Sequence, residues 1–475
     1  MSFRDSCGLV LGIVFLANGC ARSPERVGVP EEIAAPSSWV YSSEAEEGSG
    51  AVWWDSFVSQ ELEQVLNEAF LQNPDLLAMS ARVESAAANV RLAGAGLYPT
   101  ASAGLDAARR KQNFIGLPIP GSGGDVLSTH ATTMGFTLST VWEVDLWGRV
   151  RAAKRAAIAE SQATVADFDM YRLSLAAQLT KAWIAAVAAE QQLELAKATA
   201  QSFSDTATKI DERYQQGLRP ALDYELALNS AEGAKALVAE RIQQRTQAIQ
   251  QLQVLLGRYP SGSFELPSQL PLLAEPVAAG IPSSLLQRRP DLVAAERRLA
   301  AADQRVWEAR AAFFPQISLS ASTGTSSAEL KDLFDTDFSV WGLAGNVAQP
   351  LLQGGRLRAG LDLSKARVKE VTYQYVSAVQ QAFREVEFGL SSEGTLRERE
   401  RRVVSAAAHS ERALELANRR YESGLVELIS VLESQRRSLS DATQVILVRQ
   451  ARLNNRIDLF VALGGAYENE STVSE

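Results

Sequence analysis

The sequence predicts a mixed fold. Four β-strands per chain close a membrane β-barrel only in company, twelve in a trimer, and a long coiled-coil-like α-helical barrel continues it. The plan is written twice within each chain. Three observations predict this. Apolar residues recur at a 3.5-residue period along two related stretches, 76–97 and 292–313. Each stretch runs into a proline, Pro99 or Pro315, after which the period becomes two. Two proline-free stretches, 150–213 and 356–422, then follow.

The bulk numbers narrow the function. The chain has 475 residues, 46% hydrophobic and 22% charged, with a net charge of -9. That balance is globular, and with no basic domain it argues against a nucleic-acid partner. The two histidines, His130 and His409, have no Cys or carboxylate cluster beside them in the sequence. No metal site, nucleophile–base set or phosphate loop is visible, so the sequence does not read as an enzyme.

Residues 1–19 read as a signal peptide. Arg4 precedes an apolar run from Cys7 to Ala17, too short for a hydrocarbon core of about 30 Å. The run ends at Asn18-Gly19-Cys20, which resembles a bacterial lipoprotein box with its leucine one step early, at Leu16. Cys20 would then carry a diacylglyceryl group and an N-acyl chain such as palmitate. The competing reading is an ordinary signal peptide with Cys20 incidental. Once Cys7 leaves with the signal, Cys20 has no disulfide partner. Residues 20–52, rich in Pro, Ser, Glu and Gly, read as a lipid-anchored tether. No later run is apolar enough for a transmembrane helix, so any crossing must be made by strands.

The body is duplicated. Pro74-Asp75-Leu76 recurs as Pro290-Asp291-Leu292, and Tyr98-Pro99 as Phe314-Pro315, both 216 residues on. Gly148-Arg149 recurs as Gly355-Arg356, Tyr214 with Gly217-Leu218 as Tyr421 with Gly424-Leu425, and Leu256-Gly257 as Leu463-Gly464, all 207 residues on. The first repeat therefore covers 53–257, a Pro/Gly-rich connector 258–287, the second repeat 288–464 and a tail 465–475. A period this long is a duplicated domain, not a solenoid.

Within each repeat the elements follow from period. Leu76, Met79, Val83, Ala86, Val90, Ala93 and Leu97 step by three and four, as do Leu292, Ala295, Leu299, Ala302, Val306, Ala309 and Phe313. This is the knobs-into-holes spacing; an ordinary amphipathic helix would drift to 3.6. Proline stops the helix and biases the preceding residue to extended backbone. Gln316-Ile317-Ser318-Leu319-Ser320-Ala321-Ser322 then alternates, as do Thr100 to Ala107, Phe136 to Asp145 and Phe338 to Val347. Hairpins are expected at 99–145 and 315–348, with strands of about ten residues, enough to span a bilayer when tilted. The long stretch from Val150 would make a helix of about 95 Å, turning at Gly217 or Gly424 into a return helix of about 40 residues. Four strands leave open edges that lipid does not tolerate. Two chains give eight strands and a filled interior; three give twelve and leave a lumen.

The segments Trp53-Trp54-Asp55-Ser56-Phe57, Asn73-Pro74-Asp75-Leu76, Pro282 through Arg289-Pro290-Asp291-Leu292 to Ala295-Glu296, and Phe313-Phe314-Pro315-Gln316-Ile317 resemble the TolC-like outer-membrane efflux channel family, closest to its lipoprotein branch. The resemblance covers nearly the whole mature chain. It implies a homotrimer in the bacterial outer membrane, lipid-anchored and extending into the periplasm. The implied role is exit duct of a tripartite efflux system. Small molecules such as drugs would pass from an inner-membrane pump, of RND type, through a periplasmic adaptor (membrane fusion) protein to the outside. It also implies a periplasmic gate near the helix turns. Tyr421 and Asp223 match the family's tyrosine and aspartate, whereas the basic residue that follows the turn glycine by two is here Val426. Glu427 and Glu433 are candidates for an acidic ring, which would concentrate cations and hinder anions. Gly217, Leu218, Gly424 and Leu425 are implied adaptor contacts. The alternative is a lipid-anchored periplasmic coiled-coil scaffold without a conducting barrel. The cargo is not legible.

Overall fold

The computed structural model describes residues 36–41, 60–113, 128–273 and 282–465. The expected signal peptide, Cys20, the segment Trp53–Phe57, the loop Gly116–Gly124 and the tail after 465 lie outside the described residues.

In chain order the elements are α1 (Gln60–Gln72), α2 (Pro74–Ala95), β1 (Thr100–Asn113), β2 (Ser128–Val144), α3 (Arg149–Gln215) and α4 (Ala221–Leu255), then α5 (Pro282–Arg288), α6 (Pro290–Ala311), β3 (Gln316–Ser327), β4 (Ser339–Ala348), α7 (Arg356–Glu422) and α8 (Leu428–Ala462). α3 and α7 have 67 residues each. α4 and α8 have 35 each, shorter than the expected return helices. The motif segment from Pro282 to Leu292 is not one helix: it breaks at Arg289 between α5 and α6. Pro290 explains the break, because a residue before proline is disfavoured in the helical region.

The seam is visible in exposure. Along α2 Leu76 is buried and Met79, Val83, Ala86, Val90 and Ala93 are half-buried, while Leu77, Arg82, Glu84 and Leu92 are exposed. On α6 Leu292, Ala302 and Val306 are buried. Phe313 lies beyond the end of α6 and is exposed.

The four strands form one antiparallel sheet in the order β1-β2-β3-β4. β1 and β2, with 14 and 17 residues, are longer than expected. Register then assigns faces, because directly opposed residues share a side. Leu105 opposes Phe136, Ala103 opposes Leu138, Trp142 opposes Leu319, and Ala321 opposes Leu343. These, with Trp341 opposite Thr323 and Val347 opposite Ile317, make one face predominantly apolar. The other face carries Ser102 opposite Ser139, Gly104 opposite Thr137, and Glu143 opposite Ser318. Ser102 and Ser139 share a 2.8 Å hydrogen bond on it. β1 and β4 are the sheet edges, each paired on one side only.

The chain divides into two compact units. One comprises the described residues within Glu84–Ala163 and Glu296–Gln374 and holds the sheet. There Asp145 accepts from the amides of Val150 (3.1 Å) and Arg151 (2.9 Å), capping the start of α3. Ala302 and Val306 of α6 pack on Val368 and Val371 of α7. The other comprises the described residues within Glu31–Val83, Thr164–Ala295 and Tyr375–Glu475. Its largest core gathers Leu62 and Leu66 of α1, Trp183 and Ile184 of α3, Leu252 of α4 and Ile457 of α8. Trp39, inside the expected extended tether, is buried in a separate core with Leu285 of α5, Leu292 of α6 and Val386 of α7, 6.0 Å edge-on to Phe383, and the Val40 amide donates to Glu387. An indole has enough apolar area to dock even a Pro/Ser-rich segment.

Candidate functional site

Both tight turns are built alike. The Leu218 amide donates to Arg213 O and Gly217 to Tyr214 O, each at 2.8 Å; Leu425 donates to Arg420 O and Gly424 to Tyr421 O. This six-to-one and five-to-two pattern needs a left-handed residue at the glycine. Gly217 and Gly424 have φ of 73° and 72°. Proline at Pro220 then starts α4 with no amide to satisfy.

Behind the turns lies a small core of Phe203, Ala207 and Ile210 from α3, Ala227 and Ala231 from α4, and Leu428, Val431 and Leu432 from α8. Tyr421, at the end of α7, joins Phe203 in it and is 8% exposed. The Arg219 guanidinium lies 4.7 Å from its ring centroid and Arg213 5.8 Å. Arg219 also reaches Asp223 at 3.9 Å. Tyr214 and Tyr224 stack beside them, 5.4 Å apart. Arg219 thus reaches both Tyr421 and Asp223 and brings the two residues to one place. The Tyr421 hydroxyl is buried and hydrogen-bonds to no described group; Arg213 approaches it off hydrogen-bonding geometry. Burial pushes its pKa up, outweighing the opposing pull of Arg219 and Arg213, so it stays a neutral phenol at physiological pH.

The cation was missed in the sequence because it was sought two residues after Gly424, where Val426 stands, half-buried against the turn core. Arg219 stands two residues after Gly217, the same offset in the other turn. That symmetry was the available signal.

The acidic candidates part company. Glu433 pairs with Arg436 of its own helix at 3.1 Å. Glu427 is exposed and precedes the first turn of α8 without capping it by its side chain. Leu218 and Leu425 are exposed at the two turns, 68% and 72%.

A second recurring device joins the far ends of the return helices to the Pro-Asp-Leu motifs. Asn73 donates to Leu255 O (2.9 Å) at the end of α4 and accepts from the Leu76 amide (2.9 Å) at the start of α2. Arg289, 4% exposed, donates to Ala462 O at the end of α8 and to both oxygens of Asp291, and pairs with Glu385 at 2.7 Å. At the adjoining Leu-Gly pairs a Cβ on Gly257 would meet Gln72 O at 2.7 Å, and one on Gly464 would meet Arg288 O at 2.8 Å. The first motif's carboxylate differs: Asp75 faces the phenol of Tyr171 of α3, whose pKa is raised by burial and then by the charge of that carboxylate.

Among the described residues no helix is long and apolar enough to cross a membrane, and no cluster of His, Cys, Asp and Glu is arranged to hold a metal.

The family model described as outer membrane efflux protein matches residues 65–258 and 281–465. The chain is similar to the outer membrane protein OprJ of Pseudomonas aeruginosa, 34% identical over 96% of this chain and 95% of that one. It is similar to the pyoverdine export outer membrane protein OpmQ of Pseudomonas putida, 31% identical over 98% of both. Among solved structures it resembles the open state of the MtrE outer membrane channel of Neisseria gonorrhoeae, with a TM-score of 0.80 and 28% identity over 96% of this chain and all of that one.

Proposed function

The chain belongs to the outer membrane efflux protein family, and on that premise we propose how one protomer builds an exit duct. It is an outer-membrane efflux channel protein and not an enzyme.

Three copies join edge to edge, β4 of one beside β1 of the next, into a barrel of twelve strands. The observation that carries this is the sheet itself: two strand edges paired on one side only, one face apolar and the other polar and small. Such edges and faces fit a barrel wall with lipid outside and water inside. The helices continue the barrel as a periplasmic coiled-coil cylinder, in which the 3.5-period seams find partners. The matched lengths of α3 with α7 and α4 with α8 support a duplicated protomer, its repeats at 53–257 and 288–464 flanking the connector.

The Tyr421–Arg219–Asp223 cluster holds the two turns of a protomer together and so keeps the periplasmic tip closed. Glu427 supplies the acidic ring in preference to Glu433, whose charge Arg436 already engages. The exposed Gly217-Leu218 and Gly424-Leu425 turns meet a periplasmic adaptor that connects to an inner-membrane pump of RND type. Cargo choice belongs to that pump. Cys20 carries the diacylglyceryl and N-acyl anchor, with the signal peptide removed.

Mass measurement of the purified protein in detergent, followed by planar-bilayer recording, tests the duct. The expected result is a trimer that conducts once its tip is loosened; a monomer, or a trimer silent in every variant, rejects it. Intact mass of the mature N-terminus tests the anchor: acyl groups are expected on Cys20 and none after Cys20→Ser.

A further inference from the structure

We propose that the outward sheet face ends in a phosphate-binding rim, formed by Arg109 and Lys111 of β1, that holds the phosphorylated headgroup of an outer-leaflet lipid. This rests on the barrel reading above.

The register carries the argument. Alternate residues of β1 share a face, so the side that bears Ala101, Ala103, Leu105 and Ala107 next bears Arg109 and Lys111. Across the ladder, Arg109 opposes Thr132 and Lys111 opposes His130. The basic positions therefore continue the apolar face at its hairpin end, away from the helices. Arg110 takes the other face with Asp106, whose carboxylate lies against Gly135.

Height agrees with composition. The apolar face of β2 runs from Val144 to Met134, a span of about 34 Å along the strand at about 3.4 Å per residue. A tilt of about 40° reduces it to about 26 Å along the membrane normal, close to the apolar band of about 25 Å on such barrels. Thr132 with Arg109, then His130 with Lys111, come next, at the level where headgroups begin. Two cations about 7 Å apart on one strand suit a headgroup with more than one phosphate oxygen to share, and guanidinium binds phosphate in two-point fashion. In the neighbouring β3–β4 turn the carboxylate of Glu329 is held by Lys331 at 2.9 Å, and Asp335 accepts from the Asp337 amide at 3.0 Å. Those acids have partners of their own.

The test uses the full-length protein in detergent and native mass spectrometry. The probes are diphosphoryl lipid A, its dephosphorylated form, and inorganic phosphate. The unmodified trimer is expected to retain diphosphoryl lipid A, and Arg109→Ala with Lys111→Ala to bind it about 30-fold more weakly. Arg110→Ala, on the opposite face, should bind as the unmodified protein does. Millimolar phosphate should not displace the lipid. Equal retention by the double variant, equal retention of the dephosphorylated lipid, or displacement by phosphate alone overturns the proposal. A protein that never trimerises fails the barrel reading instead, and its mass shows that separately.

Discussion

At the scale of single residues, Arg289 explains why the most recognisable motif of the chain reads Arg-Pro-Asp-Leu. It lies where α5 must end, joins the start of α6 to the end of α8, and brings in Glu385 of α7. Arg289→Met removes the shared partner of two carboxylates. Asp291 and Glu385 keep about one-third of their side-chain exposure, 32% and 33%, so the loss should be about 2–3 kcal/mol, less than for a wholly buried pair. Asn73→Ala, at the matching place in the first repeat, should cost about 1 kcal/mol through a lost cap. Thermal melting of the purified protein orders the two, and an Arg289→Met protein as stable as its parent refutes the assignment. Tyr421 gives a second prediction. Its hydroxyl makes no hydrogen bond among the described residues, so the proposed closure of the tip rests on its ring. Tyr421→Phe should leave bilayer conductance unchanged, whereas Arg219→Ala should raise it. The reverse order would return the lock to the hydroxyl.

At the scale of elements, four helices end in the same glycine motif for two different reasons. Gly217 has open space where a Cβ would go, so only its backbone angle needs glycine. Gly464, with φ of 89°, needs the angle and the room, since Arg288 O crowds it. Gly217→Ala should therefore cost about 1 kcal/mol and Gly464→Ala about 3 kcal/mol or more. Melting temperatures of the two variants decide it; equal losses would mean that the close approach at Arg288 carries no weight. The strand elements were legible from alternation, and their ends were not. Thr129 to Thr133 and Ala108 to Asn113 break the apolar pattern, yet they stay in the ladder because backbone pairing continues. The seven residues of α5 carry too little period to be read, and their end at Arg288 is decided by the proline two places on.

At the scale of the whole molecule, α7 and α8 are tied by a charge cluster that makes stability depend on pH. Glu393 meets Arg452 at 3.1 Å and Arg456 at 2.8 Å, and Glu400 meets Arg452 at 2.9 Å. Burial alone would raise the Glu393 pKa, but the hydrogen bond and charge of Arg456, then those of Arg452, more than offset it and hold the carboxyl below its ordinary value of 4.5. A depressed carboxylate adds stability above its unfolded pKa and loses it as pH falls through the folded one. Amide exchange across α7 and α8 should therefore accelerate, beyond its intrinsic dependence, as pH falls below about 4.5. Glu393→Gln should flatten that acid dependence. A parent protein whose exchange is flat in acid would remove the cluster from the account.

The sequence by itself determined the kind and order of the elements: seams of 3.5, strands of two, prolines between them, and a plan stated twice. Those are local properties, set by backbone sterics and side-chain period within a few turns. It also reached Tyr421 and Asp223 by likeness to a family. The tertiary structure alone decided that Arg219 lies over the Tyr421 ring and reaches Asp223, that Arg289 finds Glu385, that Trp39 docks on Phe383, and that four strands make one sheet with an apolar and a polar face. Each is a meeting of residues far apart in the chain. Period says which side of an element turns inward, but only packed backbones say what that side meets.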